Sequence, residues 1–407
     1  MEKIVRIIAI SVFTACAVFA VFYYKGSFGA KKVAPQSTPA PYALSSPVSH
    51  IPESSQVAAT SGPVPTSIGA ETGSKDSALT AVEYYRRGNT QASEGDLKGA
   101  IVSYSNAIEF DPKYAAAYSN RGAARAAERD LDGAISDYNC AIEMDPKHAS
   151  AYINRGNART AKGDLDGAVA DYSSAIELDP RQGATYSNRG AIKTAKGDVE
   201  GGILDYDRAI ELDPKHASAY ANRGATKAAK GDMEGAIADY NHVIELDPNL
   251  LSAYFNRGNA KALMRRWEDA LGDYQHSSEL PGAYQAYSHL YIWLIRARMN
   301  QTETANRELT AFLDKRWDSE PGDWFSKVAG HLTGSVAEAD LFAAANSPDA
   351  KKDRGQHCQA WFYAGMKKLL SGDKRTAAGY FQKCMATGQK DFIEYQMAQS
   401  ELSAFEK

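Results

Sequence analysis

Residues 149–180 read ASAYINRGNARTAKGDLDGAVADYSSAIELDP, and the pattern returns every 34 residues along the chain. Asp-Pro pairs fall at Pro112, Pro146, Pro180, Pro214 and Pro248. With Ala81 as position 1 of the first unit, position 4 is Tyr six times, from Tyr84 to Tyr254, and position 8 is Gly six times, from Gly88 to Gly258. Position 24 is Tyr from Tyr104 to Tyr274, and position 20 is Ala except at Gly202. Positions 4, 8 and 11 share one helical face and positions 20, 24 and 27 another, so each unit reads as two amphipathic helices. Such a hairpin cannot bury both faces alone. Its neighbours must stack on it, which makes a solenoid.

The punctuation agrees with the periodicity. Gly-Asp at positions 15 and 16, as in Gly163-Asp164, supplies a left-handed stop and then an N-cap. Asp-Pro at positions 31 and 32 ends the second helix, because the residue before proline is driven out of helical geometry. Facing positions sum to about 28, which places Gly at 8 opposite Ala at 20. Gly202, lacking the methyl of its counterparts, is expected to gain from replacement by Ala.

These columns resemble the tetratricopeptide repeat (TPR), whose pattern is an aromatic, Gly, Ala, aromatic and Pro at those offsets. The resemblance implies an all-α TPR α-solenoid, a right-handed superhelix of helix hairpins. Six units occupy residues 81–284, and the sixth departs at Ser277 and Pro281. Residues 285–357 read as irregular helical hairpins. Trp361, Gly365, Gly372-Asp373, Ala377, Phe381 and Cys384 then restore the offsets, giving a seventh unit over 358–391 and a capping helix over 392–407. The C-terminal run, with Phe392, Glu394, Ala398, Glu401 and Leu402, is similar to NlpI-type TPR lipoproteins. That likeness implies an adaptor for periplasmic proteases and peptidoglycan hydrolases, and a homodimer. The longer array, the long tether and the altered lipobox are departures from that type.

From Ile7 to Tyr24 no residue is charged. At 1.5 Å per residue that helix would span roughly 27 Å, close to the hydrocarbon thickness of a bilayer. Residues 1–30 are therefore expected to be a retained signal anchor, with residues 7–24 as one N-terminal transmembrane helix. The alternatives are a signal cleaved near Ser27 and Gly29, or lipidation at Cys16. Residues 31–76 hold seven of the fifteen prolines, between Pro35 and Pro65, and read as a disordered tether. The expected location is the periplasmic side of a bacterial inner membrane, or the same side as a lipoprotein or secreted protein.

Forty-six basic and fifty acidic side chains give a formal charge of -4, which lacks the basic balance of a nucleic-acid binder. The cations fall in columns. Position 7 is Arg from Arg121 to Arg257 and is expected to pair with Asp at 23, from Asp137 to Asp273. Position 11, with Arg125, Arg159, Lys193, Lys227 and Lys261, is expected to pair with the acid at 18, as in Asp132 and Asp166. Both columns then read as weak, exposed intrarepeat pairs.

Position 6 offers a different column: Asn120, Asn154, Asn188, Asn222 and Asn256. An amide carries donor and acceptor together, so a row of them can match the N–H and C=O of an extended peptide. The column resembles the asparagine ladder of O-GlcNAc transferase, which implies backbone reading. The alternative is that the amides tie neighbouring helices together. Tyr85, Ile153 and Phe255 are the larger expected landmarks of that groove. Position 5 carries Tyr, Ser, Ile, Ser, Ala and Phe where chaperone-tail clamps carry Lys.

No HExxH, phosphate-binding loop or GxSxG motif is present, so no catalytic residue, metal or cofactor is assigned. The expected function is a non-catalytic, membrane-tethered scaffold or adaptor for a protein or peptide partner of the cell envelope. The alternative is an assembly factor for a pilus or secretion machine. Cys358 and Cys384 occupy facing positions 1 and 27 of the seventh unit, as a disulfide if the domain is exported or as two buried thiols otherwise. Such a disulfide would contribute a few kcal/mol at most by closing a loop of about 25 residues. Intact mass with and without reductant distinguishes the two, and a gain of two hydrogens on reduction is the result expected of the bridge.

Overall fold

The computed structural model describes residues 80–279, 284–317 and 323–405. Every element among the described residues is helical. The expected anchor, tether and lipidation site at Cys16 lie outside them, and no described helix is long and apolar enough to cross a membrane. The described chain divides into two compact units, one ending at Ala219 and the other beginning at Tyr220.

In the first unit the hairpins are α1 (Ala81–Ser93) with α2 (Leu97–Phe110), α3 (Ala115–Ala127) with α4 (Leu131–Met144), α5 (Ala149–Lys162) with α6 (Leu165–Leu178), and α7 (Gly183–Ala195) with α8 (Val199–Leu212). Helix α9 (Ala217–Lys230) follows. In the second unit come α10 (Met233–Leu246), then α11 (Leu251–Leu263) with α12 (Trp267–Ser277). Each helix of the array stops and starts where the sequence places the signals. Asp130, Asp164 and Asp232 each accept a hydrogen bond from the backbone N–H three residues on, at 2.9, 3.0 and 2.9 Å. The residue before that cap is left-handed in every unit, with φ of 81° at Gly163 and 67° at Arg129. Arginine therefore occupies, in two units, at Arg129 and Arg265, the conformation that glycine adopts without strain.

Tyr at position 24 is the centre of each hairpin. Tyr104, Tyr206, Tyr240 and Tyr274 are fully buried. The ring lies across the glycine at position 8, where an added Cβ would stand 2.5 Å from Tyr104 at Gly88 and 2.8 Å from Tyr138 at Gly122. Glycine at 8 is thus needed for the tyrosine ring rather than for the alanine at 20 alone. Three of the hydroxyls donate to an Asn at position 9: Tyr104 to Asn89 at 2.8 Å, Tyr172 to Asn157 at 2.7 Å and Tyr274 to Asn259 at 2.7 Å. Position 9 of the fifth repeat is Ala225, and the buried Tyr240 hydroxyl there has no partner.

The second unit continues through α13 (Gln285–Arg298), α14 (Thr302–Trp317), α15 (Trp324–Thr333) and α16 (Glu338–Ala344) to α17 (Ala350–Leu370), α18 (Lys374–Ala386) and α19 (Ile393–Phe405). Helix α17 begins at Ala350, eight residues ahead of the expected start at 358, because Asp349 caps it by accepting from Lys351 and Lys352 N–H. Helix α19 closes the unit through two acids. Glu394 is fully buried and accepts from the Tyr291 hydroxyl at 2.9 Å, Gln359 at 3.2 Å and the Tyr363 hydroxyl at 3.3 Å. Burial pushes its carboxyl above the ordinary range. Glu401 receives Arg298 and, at 3.4 Å, Arg265. The helix therefore reaches back to the turn after α11 and to the end of α13 rather than only covering the last hairpin.

Two stability expectations follow from these contacts. A methyl at Gly202 would meet the Thr194 hydroxyl at 2.1 Å, so the space read from sequence as empty is occupied. Gly202→Ala is expected to gain about 0.5–1 kcal/mol only in a Thr194→Ala background and less in the native one. Thermal unfolding of the four proteins checks this, and equal gains in both backgrounds would refute it. Tyr274→Phe is expected to lose about 1–2 kcal/mol by leaving Asn259 unpaired, whereas Tyr240→Phe should cost nothing. Denaturant titration of the pair reads the contrast.

Candidate functional site

The first helix of each hairpin has two polar sides, and the structure separates them by what each side chain reaches. On one side, Arg at position 7 grips Asp at 23 with two nitrogens: Arg121 to Asp137 at 2.7 and 3.0 Å, Arg155 to Asp171 at 2.6 and 3.0 Å, Arg189 to Asp205 at 2.8 and 2.9 Å. In the second unit Arg223 and Arg257 hold Asp239 and Asp273 at 2.6 Å each. The same carboxylate also takes the cation at position 11, with Arg125, Arg159, Lys193, Lys227 and Lys261 at 2.8–3.0 Å. The expected pairing of 11 with 18 is thus corrected. An arginine or lysine stem spans more than one helical turn, and the buried carboxylate at 23 offers two oxygens within that reach.

The acids at 18 look outward to the next repeat instead, Asp132 to Lys162 and Asp166 to Lys196. The Asp side chains at 23 are 2–7% exposed, so these are not the weak surface pairs the sequence implied. The first repeat, with Ser103 in place of the acid, keeps the contact in neutral form, its hydroxyl donating to Gln91 at 2.5 Å. Each Arg at 7 also lies over the Tyr at 4, with 5.4–5.6 Å from guanidinium to ring centroid. Its remaining nitrogen donates to position 25 of the preceding repeat, at 3.0 Å for Arg121 to Ser105, 2.7 Å for Arg155 to Asn139 and 2.6 Å for Arg257 to Asn241.

The other side carries the asparagines, and they are not equivalent. Asn120 donates to the Tyr85 hydroxyl at 3.0 Å and to Asn89 at 2.9 Å, so it is committed to the preceding repeat. Asn154 and Asn188 in the first unit are half-buried and make no side-chain hydrogen bond among the described residues. The preceding repeat explains this for Asn154, since it offers Ser119 and Ala123 where Tyr85 and Asn89 stand before Asn120. For Asn188, the preceding repeat offers the apolar Ile153 where Tyr85 presents its hydroxyl, and Asn157 receives Tyr172 alone. In the second unit Asn256 is likewise half-buried and unengaged, with Ala221 and Ala225 at the corresponding positions. Asn222 is 3% exposed and its buried Oδ1 has no partner.

The expected aromatic landmarks are spent on packing. Tyr85 is buried between Tyr104 and Tyr114, with ring centroids 5.9 and 4.9 Å away. Phe255 is 3% exposed and packs on Tyr274, Tyr284 and Tyr291. Ile153 is half-buried against Tyr172 and Ile192. The position 9 asparagines were missed as part of this face, although Asn recurs there at 89, 157 and 259, each fifteen residues before the tyrosine it receives. Cys358 and Cys384 do meet, with sulfurs 3.3 Å apart and both side chains fully buried, and they stand as free thiols. No group of three or more potential metal ligands forms among the described residues.

The family described as TPR repeat matches residues 88–128, 156–197, 190–231 and 226–264. No curated protein matches the chain. Among solved structures, YrrB, described as a TPR protein with an unusual peptide-binding site, is 24% identical over 43% of this chain and 90% of its own, with a TM-score of 0.39. MamA from Desulfovibrio magneticus RS-1 is 18% identical over 42% and 96%, with a TM-score of 0.40. A tetratricopeptide repeat protein from Parabacteroides merdae is 16% identical over 79% and 98%, with a TM-score of 0.43. The paired helices and the tyrosines buried on glycine agree with the family match: residues 88–128 and 156–264 carry tetratricopeptide repeats.

Proposed function

We propose that the repeats form a non-catalytic scaffold that holds an extended segment of a protein partner through its backbone. The observation that carries this reading is the state of the asparagine column. Asn154 and Asn188 in one unit, and separately Asn256 in the other, are each half-buried with donor and acceptor unengaged among the described residues. Buried or half-buried amides without partners cost free energy, and a bound peptide N–H and C=O would recover it. The small side chains around them admit a main chain without selecting its side chains. The cations at 7 and 11 are both engaged by the buried Asp at 23, so their donors are committed within the repeat.

The place of action rests on the sequence. Residues 7–24 would anchor the chain in a bacterial inner membrane, and residues 31–76 would carry the repeats away from the headgroups on the periplasmic side. The likeness of Phe392, Glu394, Ala398, Glu401 and Leu402 to NlpI-type lipoproteins supports an envelope protease or peptidoglycan hydrolase as the partner.

Crosslinking and co-purification from cells carrying the full chain would identify the partner. The Asn154→Ala, Asn188→Ala and Asn256→Ala triple variant is expected to lose about tenfold or more in partner affinity, three hydrogen bonds at about 0.5–1.5 kcal/mol each. Its melting temperature should stay close to that of the parent, because the side chains of these amides make no hydrogen bond among the described residues. Asn120→Ala should do the reverse, lowering stability by about 1 kcal/mol and sparing affinity. Undiminished binding by the triple variant would remove the amide mechanism.

A further inference from the structure

The first two repeats differ at position 9 in a way that removes an acceptor and keeps its donors. In the first repeat the Asn89 carboxamide oxygen accepts twice, from the Tyr104 hydroxyl at 2.8 Å and from Asn120 Nδ2 at 2.9 Å. These residues stand at position 9, at position 24 and at position 6 of the following repeat. One repeat on, the same positions hold Ala123, Tyr138 and Asn154. Both donors remain, and the oxygen between them is gone.

The second repeat has kept the register of the first. The Tyr138 ring lies on Gly122 as the Tyr104 ring lies on Gly88, with an added Cβ 2.8 and 2.5 Å from the same ring carbon. Ala117 and Ala151, both at position 3, are fully buried. Tyr138 is 2% exposed, and its hydroxyl makes no hydrogen bond among the described residues. Ser119, at the position that Tyr85 fills in the first repeat, is buried, and its hydroxyl is likewise unengaged there. Ala123 is half-buried, and the apolar packing on Tyr138 comes from Ala134 and Ala158 rather than from Ala123. A slot the size of one carboxamide side chain is therefore left beside Ala123, between α3 and α5. The fifth repeat has the same residue types at Ala225, Tyr240 and Asn256, but Ala225 is 2% exposed, which shuts that copy.

We propose that the slot lined by Ser119, Ala123, Tyr138 and Asn154 takes the side-chain carboxamide of a glutamine or asparagine in the bound segment, its oxygen accepting from Tyr138 and Asn154. The inference rests on the backbone reading of the proposed function and adds one selected side chain to it. Two donors without an acceptor call for an oxygen, and Tyr138 lies too deep for a main-chain carbonyl, whereas a short stem reaches it. A carboxylate would supply the oxygen but would bury an unpaired charge, because the arginines of α3 and α5 are already held by Asp137 and Asp171. A carboxamide is neutral, and its NH2 finds an acceptor in the Ser119 hydroxyl. A leucine of similar size would cover both donors and pair neither.

Short capped peptides of alternating Ser and Ala, with Gln, Glu or Leu at the centre and a fluorescein label, are the probes, titrated with the full chain by fluorescence polarisation. The Gln peptide is expected to bind about tenfold tighter than the Leu and Glu peptides, the return on two hydrogen bonds. Ala123→Asn, which puts the first repeat's own carboxamide into the slot, should bring the Gln peptide down to the Leu value and leave the Leu peptide where it was. Thermal unfolding gives a readout that needs no peptide. Tyr138→Phe should leave the melting temperature of the parent unchanged and lower that of the Ala123→Asn protein, where the hydroxyl has gained an acceptor. Equal affinity for the Gln and Leu peptides overturns this inference and leaves the backbone reading standing, whereas failure of every peptide to bind overturns both. An equal effect of Tyr138→Phe in the two backgrounds also overturns it, since the slot would then not be the one that Asn89 fills.

Discussion

The buried aspartate at position 23 is the interaction on which the repeats depend. Asp137, Asp171, Asp205, Asp239 and Asp273 each lie within 2–7% exposure between an arginine at 7 and a second cation at 11. A lone carboxylate at that depth would be expensive, and two cations meeting its two oxygens compensate the desolvation. The arginine does more than neutralise. Its plane lies over Tyr at 4, and its free nitrogen donates to position 25 of the repeat before, so one side chain fixes the hairpin internally and joins it to its neighbour. Lysine could not make both contacts, since it lacks the forked donor geometry. That is a physical reason for arginine to fill position 7 in each of the five units with Asp at 23, while position 11 there is arginine or lysine.

Fixing one side of the first helix in this way leaves the other side to vary. The amide at position 6 is spent where the previous repeat supplies Tyr85 and Asn89, and left open where it supplies Ser119 and Ala123. The amide is thus open where the preceding repeat supplies no hydroxyl at position 5 that meets it, as with Ser119, Ile153 and Ala221. A scaffold built so can hold a main chain with the same residues that, one repeat earlier, close a structural knot.

The second unit ends by a different physics. Its irregular hairpins are gathered by apolar packing around Tyr291, Phe362, Tyr363 and Phe381, and by acids on α19 that are buried rather than solvated. Glu394 and Glu401, two of the residues that carry the C-terminal likeness, are interior positions tied to α13 and α17.

The helix boundaries, the caps at Asp130, Asp164 and Asp232, the left-handed glycines before the last two and the buried tyrosines at position 24 were legible in the chain, because they follow from local periodicity and backbone preference, whereas the left-handed Arg129 was not. The facing rule also brought Cys358 to Cys384, since a Cβ-level contact depends only on the register of two helices. What the rule could not supply was the choice made by long side chains. Position 11 turned to Asp at 23 instead of the acid at 18, and Thr194 filled the space beside Gly202, because a stem of several bonds ranges over more than one turn. The state of each asparagine was equally hidden, as it depends on what the preceding hairpin presents. The sequence by itself thus determined the hairpins and their spacing, a matter of short-range sterics, whereas only the tertiary structure decided which carboxylates, amides and rings are already occupied, because occupancy is settled by competition among neighbours brought together in space.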